Sequence, residues 1–473
     1  MRNRKKIVAE QVLVTDYAAE GRSLAKIDGK VLFIDGAVPG DVADVLLTRN
    51  KKDWAEGKAI HFHSYSPDRV EPFCSHFGTC GGCKWQMLPY EKQLQYKQRE
   101  TEENLKRIGK VKLPEVQTII GADVTRGYRN KLEFTFSNKL YLSSEELQQF
   151  KETGLPFKDG VGGVGFHVPR IYDKIIDVNH CYLQEEPSNI IRNTIREFAL
   201  KNKYPFYDIK NHQGWLRNLI IRNSTTGEVM VNVCFGYDDE AERDKLFNYL
   251  LKEEPGITTL LYTINPKFND SIYDLEPQIF YGRGYITERL GGFQFKIGPK
   301  SFFQTNTRQG EKLYNITKEF AELTGKETIY DLYCGTGSIG IFVSKLAGKV
   351  IGVETVAEAV EDAKENALLN GITHAGFFAG DVIKVCDDAF FEQQGRPDVI
   401  ITDPPRAGMH EKLVRKILDT AAPVVVYVSC NPATQARDLN LLDEKYIVTR
   451  IQPVDMFPHT HHIENVVQLK LKV

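Results

Sequence analysis

Short apolar runs broken by turn residues fill the N-terminal part of the chain. From Val8 it reads VAEQVLVTDYAAEGRSLAKIDGKVLFIDGAVPGDVADV, with Asp28-Gly29 between the runs around Leu24 and Phe33. Asp-Gly between two such runs signals a hairpin, because both residues tolerate the positive φ of a tight turn. Strands this short and this closely spaced predict a small β-barrel over residues 7–62. A charged stretch from about Tyr90 to Ile108, with Leu94 and Leu105 among its few apolar residues, predicts a helix. From Arg129 to Gln304 the pattern is mostly β. LRNLIIRNS and EVMVNVCF flank a turn at Thr225–Gly227, and GFHVPRIYDKIIDVNHCYL reads as further strands.

The pattern changes at Thr328. Apolar runs (TIYDLYC, KVIGVE, DVIITDPP, VVVYVSCNP) alternate with helical segments (SIGIFVSKLA, AEAVEDAKENALLN, EKLVRKILDTA). That alternation predicts a parallel sheet with crossover helices, a Rossmann-like C-terminal domain. The fold expected is therefore multidomain α/β plus β: an N-terminal barrel, a central β-rich domain and a C-terminal doubly wound domain. A length of 473 residues agrees, being too long for one core.

Composition changes little. The chain is 42% hydrophobic and 26% charged, and no apolar run is long enough to cross a bilayer. The basic start MRNRKKIVAEQ lacks the apolar segment of a signal peptide, so a cytoplasmic protein is expected. The net charge of −2 makes no case for a polyanionic partner, although residues 1–180 hold 28 Lys+Arg against 24 Asp+Glu. A phosphate-binding surface or an ordinary solvated one fits that excess.

Asp331-Leu-Tyr-Cys-Gly-Thr-Gly-Ser338 stands between a predicted strand and helix. Gly335 and Gly337 let the backbone turn sharply and approach a ligand. The next strand ends in Glu354, placed for the two hydroxyls of a ribose, and the one after in Gly380-Asp381, placed for an adenine amino group. Together they point to a nucleoside cofactor. Asp403-Pro404-Pro405-Arg406 ends the fourth strand. A proline-fixed acid there suits a transferring methyl group, which favours S-adenosylmethionine over NAD. Arg406, where amine-methylating enzymes carry an aromatic, argues against an exocyclic amine as acceptor.

Val428-Ser429-Cys430-Asn431-Pro432 ends the fifth strand and puts a cysteine on the cofactor side, as a nucleophile or a buried structural thiol. A thiolate that adds to C6 of uracil makes C5 nucleophilic enough to take a methyl from a sulfonium, and a base must then remove the C5 proton. Glu464, in the polar segment before the last strand, is the candidate base, with His461 and His462 as rivals. Three of the eight cysteines, Cys74, Cys80 and Cys83, fall within ten residues, which in a reducing compartment reads as a metal or iron–sulfur site.

Cys74-Ser-His-Phe-Gly-Thr-Cys80-Gly-Gly-Cys83, Phe303-Gln-Thr-Asn306, Asp331-Leu-Tyr-Cys-Gly, Asp403-Pro-Pro-Arg-Ala-Gly408, Ser429-Cys-Asn-Pro432 and His462-Ile-Glu464 occur in one order. The set resembles the RNA uracil-5-methyltransferase family, in particular its iron–sulfur members that act on 23S rRNA, and the likeness covers nearly the whole chain. It implies Cys430 as nucleophile and Glu464 as C5-proton acceptor, with Gln304, Tyr333, Ser338, Glu354, Asp381 and Asp403 contacting S-adenosylmethionine. It also implies a [4Fe–4S] cluster on Cys74, Cys80, Cys83 and Cys181, for which zinc is the rival metal. Ser75 departs from the family's usual proline.

The resemblance implies three domains: an OB-like TRAM barrel over 1–64, an iron–sulfur domain over 65–94 and 124–297, and a discontinuous methyltransferase domain over 95–123 and 298–473. The expected partner is RNA whose target uridine leaves any stack, by base flipping or by lying in a loop, with no membrane partner and a monomeric protein. Arg129, Lys131 and Arg170 are candidate phosphate contacts. The rival readings are the same reaction on the T-loop uridine of tRNA, a non-catalytic RNA-binding or ribosome-assembly protein, and cytosine C5 methylation, whose enzymes usually show Pro-Cys or Thr-Cys at the nucleophile.

Overall fold

The structure, a computed structural model, describes residues 7–153 and 162–472. The first six residues, part of the barrel and the basic start in the sequence reading, lie outside it. The N-terminal sheet has six strands in the order Val8–Leu13, Val42–Asn50, Trp54–Ser64, Lys30–Asp35, Arg22–Ile27 and Asp16–Ala18. Its Asp28-Gly29 turn has φ of 46° and 75°, and Ile27 pairs with Lys30, so the hairpin forms as expected. Alternate residues (Val12, Ala25, Leu32, Ile34, Val45, Ala55) point inward and form a small core.

A second cluster joins this barrel to the cysteine loop. Val38 packs with Trp85, Met87 and Leu88 of that loop, and Tyr17 and Tyr96 close over them. The charged helix spans Tyr90–Asn104 and ends in one wider turn over Leu105–Gly109. Gln93, Lys97 and Thr101, its buried face, are polar, which is why apolar periodicity describes it poorly.

The central sheet has seven strands in the order Gln278–Tyr281, Thr259–Ile264, Val229–Phe235, Leu216–Asn223, Lys131–Ser137, Gly163–Val168 and Ile171–Asp177. Helices Ser188–Lys201 and Glu240–Glu253 cover it through Ile191, Ile195, Leu246, Phe247 and Leu250. The mostly β pattern hid both helices. Their apolar residues recur at helical spacing but lie among Arg, Asn and Glu, between much stronger strand signals.

The C-terminal sheet consists of β1 (Thr328–Leu332), β2 (Lys349–Glu354), β3 (Ala375–Ala379), β4 (Val399–Thr402), β5 (Val424–Ser429), β6 (Tyr446–Val454) and β7 (Glu464–Leu471). The order is β3-β2-β1-β4-β5-β7-β6, with β1 to β5 parallel and β7 antiparallel to both neighbours. The hairpin Ile286–Leu290 and Phe293–Ile297 buries its apolar face in this domain's core, beside Ile329 and Ile341. Segment 117–120 runs along β6, with Gln117 N donating to Ile451 O and Ile120 N to Pro453 O, both at 3.0 Å.

Candidate active site

Five parallel strands put their carboxyl ends on one edge, and the motifs read from sequence converge there. Tyr333 N and Cys334 N both donate to Val353 O, at 3.0 and 3.2 Å, which bends the chain after β1 across the end of β2. Tyr333 sits at φ 64°, Gly335 at 53° and Gly337 at 77°. A Cβ on Gly337 would stand 3.0 Å from Ala363 Cβ and from the Phe377 ring, so that position holds glycine for space as well as for φ. Glu354, ending β2, accepts from Gly335 N at 3.2 Å and from Val356 N at 3.0 Å. Asp381 follows β3 and caps a short helical turn through Ile383 N at 2.9 Å. Ser338 shares a 2.8 Å hydrogen bond with the buried Tyr314 hydroxyl.

Gln304 is buried, and its backbone carbonyl accepts from the side-chain amide of Asn130, just before the strand Lys131–Ser137, at 2.9 Å. Asp331, quoted in the motif but given no role, is fully buried. It accepts from Gly340 N at 2.8 Å through one oxygen, while the other has no hydrogen-bond partner among the described residues. Burial raises its carboxyl to about 7.

The antiparallel β7 completes the reacting cluster. Ser429 at the end of β5 pairs with Asn465 near the start of β7. The next residue on each strand toward that edge is Cys430 on one and Glu464 on the other. Two positions 34 residues apart in sequence therefore meet because one strand runs backwards. Asp403, just past β4, is the third member. Burial pushes the Cys430 thiol up to about 12, with Glu464 and Asp403 adding to the rise and Arg406 opposing it. Burial also raises Asp403 to about 7, and burial and then Asp403 raise Glu464 well above the carboxylate range. Three acids gathered at one strand end cannot all ionise without a compensating positive charge.

The thiol opens into a cavity of about 330 Å³ lined by Arg406, Asn431, His461, His462, Glu100 and Asn104, with Ala19 and Glu20 of the barrel. His461 and His462 are partly buried rather than loose, and burial lowers them to about 3 and about 4. The barrel reaches the site at Gly21, where a Cβ would lie 2.9 Å from His461 Cβ. Glu20, Glu100 and Asn104 were not found by sequence reasoning. They lie in segments with no motif, and only the packing of barrel, helix and sheet brings them here.

A second cavity, of about 170 Å³, is lined by Cys74, Cys80, Cys83 and Cys181 together with Phe77, Leu132, Phe166 and Val178. Burial raises the Cys80 thiol to about 11 and Cys83 to about 12, and raises Cys181 as well. Among the described residues no three His, Cys, Asp or Glu side chains close on a single-ion position. Of the candidate phosphate contacts, Arg129 lies 5.1 Å over the Phe457 ring, Lys131 is half-buried in the central sheet, and the exposed Arg170 pairs with Asp35 of the barrel at 3.0 Å.

An edge of this kind, with a glycine-rich turn after the first strand, an acid at the end of each of the next three and a thiol after the fifth, is the arrangement of a transferase that uses a nucleoside cofactor. Comparison with known proteins narrows the class. Residues 9–60 match the TRAM domain, residues 311–426 the methyltransferase small domain, and residues 392–472 the tRNA (Uracil-5-)-methyltransferase model. An RNA methyltransferase of Bacteroides thetaiotaomicron, described as uncharacterized, is 52% identical over 96% of this chain and all of its own length. Another of Porphyromonas gingivalis, described likewise, is 51% identical over 96% of this chain and 98% of its own. The crystal structure of Pyrococcus abyssi tRNA (uracil-54, C5)-methyltransferase in complex with S-adenosyl-L-homocysteine aligns over 97% of this chain and 100% of that one, with TM-score 0.73 and 27% identity. The chain belongs to this family of TRAM-containing RNA methyltransferases, with a C-terminal part of the uracil-5 type. No helix among the described residues is long and apolar enough to cross a membrane.

Proposed function

We propose that this protein transfers a methyl group from S-adenosylmethionine to C5 of a uridine in 23S rRNA, through a covalent bond between Cys430 and C6. The observation that carries this reading is the meeting of Cys430, Glu464 and Asp403 at one end of the sheet, beside a cavity open to the thiol. On this reading Gln304, Tyr333, Ser338, Glu354, Asp381 and Asp403 contact the cofactor, which is supported by Tyr333, Glu354, Asp381 and Asp403 ending or following strands at that edge. The bound cofactor supplies an electrophilic methyl and a positive charge. The Cys430 thiol gives up its proton to water in the open cavity as sulfur bonds to C6, and the electron pair pushed onto C5 lets that carbon take the methyl. Glu464 removes the C5 proton, the C5–C6 double bond re-forms, and the sulfur leaves as the thiolate. Glu464 suits that step better than His461 or His462, since a carboxylate raised by burial is a stronger base than an imidazole lowered to about 3 or 4.

The four cysteines around one apolar-walled cavity fit a thiolate-bound inorganic cluster, which is the reading given to Cys74, Cys80, Cys83 and Cys181. Buried thiols with raised pKa stay protonated until a cation stabilises the thiolate. The division into segments 1–64, 65–94 with 124–297, and 95–123 with 298–473 belongs to the same reading. It is supported by the packing of segment 117–120 against β6. A second reading, methylation of tRNA, is favoured by the likeness to the Pyrococcus abyssi enzyme.

The test is tritium release from C5-labelled uridine in unmodified ribosomal and transfer RNA, with wild type, Cys430→Ala and Glu464→Gln. Release by the wild type alone supports the mechanism, and the RNA that yields it decides between the two readings. Cofactor binding by a folded, cluster-loaded protein without release from either RNA would overturn both.

A further inference from the structure

One wall of the Cys430 cavity is used by no step above. It comes from the helix Tyr90–Asn104, whose Glu100 and Asn104 are four residues apart, share a face, and both line the cavity. Two carboxylates line this space, and they differ. Glu20 is held by Arg22 at 2.9 Å, whereas the side-chain carboxylate of half-buried Glu100 makes no hydrogen bond or ion pair among the described residues. Burial strips this carboxylate of part of its water without supplying a protein donor, so its place in a reaction cavity suits a donor on the substrate.

The chemistry of the base identifies that donor. Thiolate addition to C6 is open to cytosine as well as uracil, so recognition has to decide between them. C6 and N3 are opposite atoms of the pyrimidine ring. The sulfur bonds to C6 from above the ring face, which leaves the opposite edge of the base, with N3 at its centre, free for in-plane contacts with the cavity wall. Uracil presents N3–H there, flanked by two carbonyls, while N3 of cytosine is an acceptor. An ionised carboxylate only accepts.

Resting on the uridine reading, we propose that Glu100 selects uracil over cytosine by accepting the N3–H of the flipped base, and that Asn104 offers its amide to a neighbouring carbonyl. A site built to pair a substrate N–H discriminates strongly, because the wrong base leaves a desolvated group unpaired.

The test is covalent capture, with S-adenosylmethionine present, of unmodified ribosomal and transfer RNA transcribed with 5-fluorouridine, and of the same RNA with cytidine encoded at the captured position and transcribed with 5-fluorocytidine. Burial raises the Glu100 carboxyl to about 7, so capture is measured on the alkaline side of that value, where the group is ionised. Fluorine at C5 cannot be removed as a proton is, so the Cys430 adduct persists and is read on a denaturing gel. The wild type should capture the 5-fluorouridine RNA at least about 100-fold faster than the 5-fluorocytidine RNA. In Glu100→Ala the ratio should fall to within about tenfold, with cofactor affinity unchanged. Glu100→Gln, whose amide can accept or donate, should gain capture of 5-fluorocytidine, and it decides the matter if the alanine variant does not fold. A wild-type preference retained in the folded variants overturns the role of Glu100 alone. Capture of neither RNA by the wild type overturns the uridine reading and this one with it.

Discussion

Lys97 and Asp455 form an ion pair from which solvent is wholly excluded, with both side chains at 0% exposure and Nζ 2.6 Å from Oδ1. Lys97 also donates to Phe457 O at 3.2 Å. The pair therefore fastens the helix that lines the base cavity to the segment leading into Glu464. Lys97→Met keeps the stem and removes the charge, leaving buried Asp455 with Tyr90 Oη at 2.7 Å and Phe457 N at 3.0 Å as donors. An uncompensated buried charge costs about 3–5 kcal/mol. At ~2–4 °C per kcal/mol for a domain of 150–250 residues, melting should fall by ~6–20 °C. In Lys97→Met/Asp455→Asn the orphaned charge is gone, so at least about 2 kcal/mol should return. The assay is thermal and denaturant unfolding of all four members of the cycle, with the methyl-transfer rate measured alongside. Losses that add within ~0.5 kcal/mol would refute the coupling. A cofactor affinity that drops as far as the rate would refute the claim that the pair acts through the Glu464 segment.

Three further outcomes are expected. Asp331 holds its proton to about 7 in the fold against an ordinary 3.8, so the unfolded chain ionises first as pH rises. Its contribution is thus most favourable below about 4 and declines through about 7, by at most ~4 kcal/mol, and Asp331→Asn should flatten melting temperature against pH over that window. An unchanged profile would reject the assignment. Cys80→Ser should lower iron and sulfide content after anaerobic reconstitution while cofactor binding persists; an unaltered metal content would remove Cys80 from the ligand set. Gly21→Val meets His461 and Trp85 at close range in a backbone with φ 69°, so it should impair RNA capture and barrel docking more than cofactor affinity. Equal loss of both would show that the barrel contact is not specific to the base cavity.

The alternation of strand and helix after Thr328, the Asp28-Gly29 hairpin and the acids that end successive strands were legible because each is a local signal, carried by neighbouring residues. The cysteine pattern was legible by spacing, but its fourth member came only with the family resemblance, since Cys181 lies about a hundred residues away. The helices of the central sheet were missed because polar residues dilute their apolar faces. What no local pattern encodes is the meeting of Cys430 and Glu464, which depends on β7 running antiparallel into a parallel sheet. Nor does it encode the base cavity, where the barrel turn at Glu20, the helix at Glu100 and the segment at His461 come together. Local sequence determined the strands, the turns and which residue types could do chemistry. Only the burial of three separate apolar surfaces against one another decided which of those residues face a common substrate, because side chains far apart in the chain meet only when the elements bearing them are packed.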